Sequence, residues 1–124
     1  MRLELSSHVI FEAIHSLSER EEPHKHIFEL SIAVTGPVSS GRIMGLVELR
    51  ELLEQVVSPL KGSYLNENRI LDRAAQENPT CESLATYFVE TMRSRLPSTV
   101  SICWVEVKIS EADGSFWGAA RWTV

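Results

Sequence analysis

Three histidines near the start of the chain have the residue type and the spacing of metal ligands. His24 and His26 are two residues apart, so on a β-strand their side chains point to the same face. His15 ends the preceding apolar stretch, and antiparallel pairing of the two segments would bring all three rings to one end of one sheet face. Three neutral imidazoles that leave a fourth position open are typical of a catalytic zinc site. Periodicity by itself leaves open that these are ordinary strand-end and loop histidines.

The strands and helices that would position these histidines follow from the hydrophobic pattern. Alternating apolar residues predict four strands, at residues 2–14, 24–35, 100–109 and 116–124. Apolar residues at three- and four-residue spacing predict two helices, one from Leu46 to Ser58-Pro59 and one that begins after Thr80 as N-cap and ends at Pro97. The polar segment 62–79 between the helices is long enough to be a functional loop.

The order of these elements, ββααββ, predicts an α+β fold in which both helices lie on one face of a four-stranded antiparallel sheet. We expect the other face to carry Trp104, joined by Trp117 or Trp122. A partly apolar second face predicts that another subunit covers it.

Composition narrows the class of protein. The 124 residues are expected to form a single domain, 1–124, and the net charge of −5 without a Lys/Arg cluster disfavours nucleic-acid and anionic-membrane binding. The sequence contains no stretch of transmembrane length and does not begin with a signal-peptide hydrophobic run, so the expected location is cytoplasmic. Cys81 and Cys103 form no CxxC motif and are expected to be free thiols.

Four motifs, in order along the chain, resemble the 6-pyruvoyl-tetrahydropterin synthase and 6-carboxytetrahydropterin synthase family. Three of them correspond to the family patterns F-x-A-A-H-x-L, H-G-H-N-Y and N-P-T-x-E-N-L-A, and the fourth to the strand that ends in a pterin-binding glutamate. They are found here at residues 11–17, 24–28, 78–85 and 107–111. Their joint occurrence over nearly the whole chain is far more specific than any one of them.

The resemblance implies the tunnelling fold, in which subunits close into a trimeric barrel and two barrels often stack as a hexamer, with active sites between subunits. It also implies that the three histidines bind zinc. Glu111 would bind the amino-pyrimidine edge of a pterin, and Thr80 and Cys81 would supply hydrogen bonds beside it. Without the resemblance, Thr80 would be only a helix cap and Glu111 a solvated residue before a turn.

The sequence departs from the family at its catalytic relay. The usual catalytic cysteine corresponds to Arg20, and the Asp and His of L-D-H-x-x-L-N correspond to Lys61 and Gly62. The Asp of G-x-V-x-D-F corresponds to Gly45. In a subgroup that makes 6-hydroxymethyl-dihydropterin, a glutamate near the position of Glu21 replaces the cysteine. Glu21 is therefore the predicted general base.

Lys61 is a candidate proton donor in place of the missing relay. For both Glu21 and Lys61 the alternative is a solvated surface charge.

The function implied by the resemblance is a zinc-dependent lyase or synthase that acts on the side chain of a dihydropterin such as dihydroneopterin triphosphate. Elimination, isomerisation and retro-aldol cleavage are all compatible with the predicted site. Two alternatives stay open: a lyase or cyclase of the same fold that acts on a different small molecule in a specialised pathway, and a non-catalytic binding protein.

Overall fold

A four-stranded antiparallel sheet forms the centre of the protein. The computed structural model describes residues 2–18 and 21–124, and within them the strand order is β1-β2-β3-β4. The strands are β1 (Leu5–His15), β2 (His24–Thr35), β3 (Ser101–Ser110) and β4 (Phe116–Thr123). The predicted α+β fold is confirmed, with every strand paired to its sequence neighbour and with β1 and β4 at the two edges.

Helices connect the second and third strands. The two predicted helices are present as α1 (Leu46–Val57) and α3 (Cys81–Arg93), the second ending before the predicted Pro97. A short helix that the sequence pattern did not predict, α2 (Arg73–Glu77), lies in the polar segment, where the Asp72 side chain accepts a hydrogen bond from Ala75 N–H. None of the described helices combines the length and the apolar character needed to cross a membrane.

The core lies between one face of the sheet and helices α1 and α3. Phe11 of β1 and Phe28 of β2 stack with ring centroids 5.3 Å apart, and Phe88 of α3 meets Phe11 edge-on at 6.3 Å. All three rings are buried. The same sheet face continues towards the histidines, because His15 lies edge-on to Phe28 at 5.5 Å.

The tryptophans do not gather on the opposite face as predicted. Ile109 pairs with Gly118 and Ser110 with Phe116, so Trp117 is the extra residue of a β-bulge, and its ring centroid lies 4.8 Å from that of His26. Trp122 packs against the core. The prediction that Trp117 or Trp122 joins Trp104 was wrong, because the bulge turns the side chain of Trp117 to the histidine face.

Charged pairs dominate the face on which Trp104 lies. Arg121 stacks on the Trp104 ring at 4.0 Å and pairs with Glu106 at 3.0 Å, while Lys108 pairs with Glu29 at 3.5 Å. This face is mixed, since the exposed Ile10 lies in register with Glu29, and the covering of the face by another subunit stays a prediction.

The start of α3 supports a first prediction. The Thr80 hydroxyl accepts the Ser83 N–H at 3.1 Å, which confirms Thr80 as the N-cap. Thr80→Ala should lower the free energy of unfolding by about 1 kcal/mol, because a helix N–H loses its acceptor. Thr80→Ser keeps the oxygen and should remain close to the wild type in urea unfolding at one fixed protein concentration. An equal loss in both variants would contradict the capping role.

Candidate active site

The register of β1 and β2 brings the three predicted histidines together. His15 pairs with His24, and Ala13 pairs with His26 in the same ladder. The ring centroids of His15 and His26 are 5.0 Å apart, and those of His24 and His26 are 6.0 Å apart. His15 and His26 are buried, whereas His24 is exposed at the end of its strand. The predicted convergence of the rings at one end of one sheet face is therefore what the fold produces.

The His15 ring is oriented by the segment that precedes α3. Its Nδ1 lies 3.0 Å from the carbonyl oxygen of Pro79, a contact in which the imidazole N–H donates and Nε2 keeps its lone pair. Burial lowers the pKa of His15, and the neighbouring His26 adds to this effect, while the hydrogen bond to Pro79 opposes it. The neutral form that results is the form in which imidazole binds metals.

His26 carries an unsatisfied polar group in the core. Both of its ring nitrogens are buried, and neither has a hydrogen-bond partner among residues 2–18 and 21–124. Trp117 covers one side of the ring. Burying an imidazole without a hydrogen-bond partner costs free energy of folding. The position therefore favours a ligand that accepts a nitrogen lone pair.

Glu21 reaches the histidine cluster through His24. One carboxylate oxygen lies 3.0 Å from His24 Nε2, and the other accepts the Leu17 N–H at 3.0 Å. The predicted base is thus fixed beside the predicted metal ligands and is not a freely solvated loop charge. Arg20, at the position of the family's cysteine, lies outside the described residues.

The donor set of the three histidines fits a zinc ion. Imidazoles bound tetrahedrally to one zinc have ring centroids about 5 Å apart, given Zn–N bonds of about 2.0–2.1 Å. The separation of His15 and His26 matches this value, and His24 is farther away. No group of three or more His, Cys, Asp or Glu side chains in the described part of the chain is already arranged to hold a metal. His24 Nε2 lies 3.0 Å from the Glu21 carboxylate instead.

The residues that replace the family's Asp and His lie on a turn beside β1. Lys61 pairs with Glu54 of α1 at 3.1 Å, and among the described residues this carboxylate, not a histidine, is its polar partner. Gly62 has a φ of +69°, where a side chain costs about 1–2 kcal/mol, although a Cβ there would meet nothing within 4 Å. The missing histidine therefore coincides with a backbone conformation that favours glycine.

The third departure concerns a helix terminus. Gly45 is the N-cap of α1 and forms no side-chain hydrogen bond to the helix. An aspartate at this position would be able to accept a backbone N–H of the first turn of α1, which glycine cannot do.

The predicted pterin-binding residues line the same end of the sheet. Glu111 follows Ser110, the partner of Ile27, and is therefore level with His26 on the neighbouring strand. Its backbone closes the β3–β4 turn with Ser115 and Gly114, and the residue is half-buried. Thr80 uses its hydroxyl in the cap, and Cys81 begins α3 as a half-buried free thiol.

A cleft of about 440 Å³, bordered by Glu21 but by none of the three histidines, also contains groups that the sequence analysis did not select. The Tyr64 hydroxyl lies 2.9 Å from the Ser16 hydroxyl, and both line this cleft together with Glu21. The Asn66 side chain accepts the Ser16 N–H at 2.9 Å and donates to the Ser16 carbonyl at 2.8 Å. Tyr64 and Asn66 stand in the segment aligned with L-D-H-x-x-L-N, so the motif pointed to the region but not to the tyrosine.

Comparisons with known proteins bear on the family and the fold of the chain. The sequence model described as 6-pyruvoyl tetrahydropterin synthase matches residues 4–120. The chain is 34% identical over 94 residues to the dihydroneopterin monophosphate aldolase of Pyrococcus furiosus, covering 74% of this chain and 76% of that protein.

Two solved structures illustrate the similarity of the fold. The 6-pyruvoyl tetrahydropterin synthase of Caenorhabditis elegans has a TM-score of 0.74 at 19% identity, over 100% of this chain and 96% of that one. A Plasmodium vivax 6-pyruvoyltetrahydropterin synthase with a catalytic glutamate changed to alanine has a TM-score of 0.67 at 14% identity, over 100% and 99% of the two chains. At these identities the likeness concerns the fold alone.

The environment of Cys81 supports a second prediction. Burial, with a contribution from the Glu82 carboxylate, raises the pKa of the Cys81 thiol to about 11. The thiol therefore stays protonated at neutral pH, so alkylation of Cys81 by iodoacetamide at pH 8 should be roughly 200-fold slower than that of a free cysteine. The rate should rise as the pH approaches 11.

Mass spectrometry of the peptide that contains Cys81 separates its alkylation from that of the buried Cys103. Glu82→Gln should make Cys81 moderately more reactive, because it removes a negative charge that disfavours the thiolate. Alkylation of Cys81 at the rate of a solvent-exposed thiol would contradict the prediction.

Proposed function

The chain belongs to the 6-pyruvoyl tetrahydropterin synthase family, and we propose that it is a zinc-dependent lyase that cleaves the side chain of a dihydroneopterin phosphate by a retro-aldol reaction. The observation that carries the proposal is the contact of the Glu21 carboxylate with His24, in a chain that lacks the family's Asp–His pair. Similarity to a dihydroneopterin monophosphate aldolase supports retro-aldol cleavage over elimination or isomerisation.

Retro-aldol cleavage needs one base and one acid but no redox partner. The base takes the proton of a side-chain hydroxyl, a carbonyl forms at that carbon, and the adjacent carbon–carbon bond breaks. The electron pair left on the ring-attached carbon then takes up a proton. Glu21 is the proposed base, because its carboxylate lines the cleft and is held in place by the Leu17 N–H.

We place the zinc ion at His15, His24 and His26. The two unpartnered nitrogens of the buried His26 support this assignment, as does the hydrogen bond from His15 Nδ1 to Pro79, which leaves Nε2 available. A zinc ion bound there would polarise substrate hydroxyl and carbonyl oxygens as a Lewis acid.

Glu111 is the proposed receptor of the pterin ring, with Thr80 and Cys81 beside it. A carboxylate can accept two parallel hydrogen bonds from the amino-pyrimidine edge. The protonated Cys81 thiol can donate only a weak hydrogen bond there, which agrees with a binding role and not with a nucleophilic one.

A homo-oligomer, trimer or hexamer, is part of the proposal. Both outer strands of the sheet, β1 and β4, are edges, and β4 carries the exposed side chains of Phe116 and Trp117. Edge strands with unpaired backbone groups readily pair with a second chain. Pairing of β4 with β1 of a neighbour would extend the sheet around a barrel and place active sites near the subunit boundary.

The zinc assignment leads to a third prediction. Protein purified without a tag should contain about one zinc per chain, and His24→Ala and His26→Ala should lose it. His8→Ala is the matched control, because His8 is exposed on the opposite face of β1, and it should keep the metal. Elemental analysis alongside circular dichroism separates metal loss from unfolding. Absence of zinc from the folded wild type would refute the assignment.

The cleavage reaction leads to a fourth prediction. The zinc-containing protein should convert dihydroneopterin monophosphate or triphosphate into 6-hydroxymethyl-dihydropterin and a phosphorylated two-carbon aldehyde, as followed by chromatography. Glu21→Gln should lower kcat by about 10²–10⁴-fold, because the base is lost. Glu22→Gln, a neighbouring exposed carboxylate, should remain close to the wild type. Equal rates for Glu21→Gln and the wild type would exclude Glu21 as the base.

A further inference from the structure

The cleft that Glu21 borders contains a pair of hydroxyl groups, those of Ser16 and Tyr64, which have no role in the reaction as described so far. We propose that Tyr64, positioned by Ser16, donates the proton that the ring-attached carbon takes up after the carbon–carbon bond breaks. This inference rests on the proposed retro-aldol function and names the acid of that reaction.

Tyr64 is held in one position by a chain of contacts. Its hydroxyl lies 2.9 Å from the Ser16 hydroxyl, and Ser16 is only 6% exposed. The Asn66 side chain accepts a hydrogen bond from the Ser16 N–H and donates one to the Ser16 carbonyl. Ser16 also directly follows the proposed zinc ligand His15, so the phenol is anchored to the end of β1.

The acid and the proposed base line the same cleft. Glu21, Ser16 and Tyr64 all border its volume of about 440 Å³, which lies in the range of small-molecule sites. The predicted donor Lys61 is paired with Glu54 of α1 and would have to break that pair to take part. The Tyr64 phenol, in contrast, lines the cleft and is bonded to the neutral Ser16 hydroxyl.

The complete step balances without a further reactant. The substrate hydroxyl gives its proton to Glu21 as the carbonyl forms, and the electrons of the broken carbon–carbon bond move to the ring-attached carbon. That carbon forms a C–H bond with the proton of Tyr64. The phenolate recovers a proton from the Ser16 hydroxyl, which is resupplied by water that exchanges with Glu21.

Two variants distinguish the catalytic role of Tyr64 from the positioning role of Ser16. Tyr64→Phe keeps the ring and should lower kcat by about 10²–10⁴-fold, with unchanged affinity for the pterin as measured by its fluorescence. Ser16→Ala should lower kcat only about 5–10-fold, because one hydrogen bond to the acid is lost. Tyr87→Phe, which removes the hydroxyl of a half-buried tyrosine on α3 that packs on Phe88, is the matched control and should resemble the wild type.

Deuterium exchange gives a readout that a structural role of Tyr64 does not change. In D₂O the wild type should exchange a hydrogen on the ring-attached carbon of 6-hydroxymethyl-dihydropterin, which is the reverse of the proposed protonation. Glu21→Gln should lose cleavage but keep this exchange, whereas Tyr64→Phe should lose both. Exchange and cleavage at wild-type rates in Tyr64→Phe would overturn the inference alone. Absence of cleavage by the zinc-containing wild type would overturn the proposed function and, with it, this inference.

Discussion

The antiparallel register between β1 and β2 is the constraint on which the rest of the site depends. It pairs His15 with His24 and sets His26 opposite Ala13, so that three side chains from two strands meet on one face. Because side chains alternate along a strand, a slip of one residue would move His24 and His26 to the other face. The same slip would expose Phe28, which is fully buried against Phe11, and the core therefore enforces the geometry of the site.

The segment at the start of α3 contacts the same site and so connects the helices to it. Thr80 caps the helix, and the carbonyl of the adjacent Pro79 holds the ring of His15. One short segment thus begins the helix and also determines which nitrogen of His15 keeps its lone pair free. That nitrogen is Nε2, because Nδ1 donates to the Pro79 carbonyl.

Two of the departures from the family lie close together beside β1. Lys61 and Gly62 occupy the turn beside β1 where the family has a carboxylate and an imidazole, and the φ of +69° at Gly62 disfavours a side chain there. The candidate groups that remain, Glu21 and Tyr64, are both bonded to the residues that follow His15, through Leu17 N–H and the Ser16 hydroxyl. Both proposed catalytic groups are thus positioned by the end of β1.

The sequence by itself determined the order of strands and main helices, the capping residue Thr80 and the convergence of the histidines, because these follow from local periodicity and from side-chain alternation. It missed helix α2, whose five residues are too few for a periodic signal. Only the tertiary structure decided where Trp117 points, since a bulge depends on how β3 and β4 pair and not on either strand alone. It likewise decided that Tyr64 meets Ser16 and that Lys61 pairs with Glu54, because these contacts join residues 48 and 7 positions apart through the folding of a loop that has no repeating pattern.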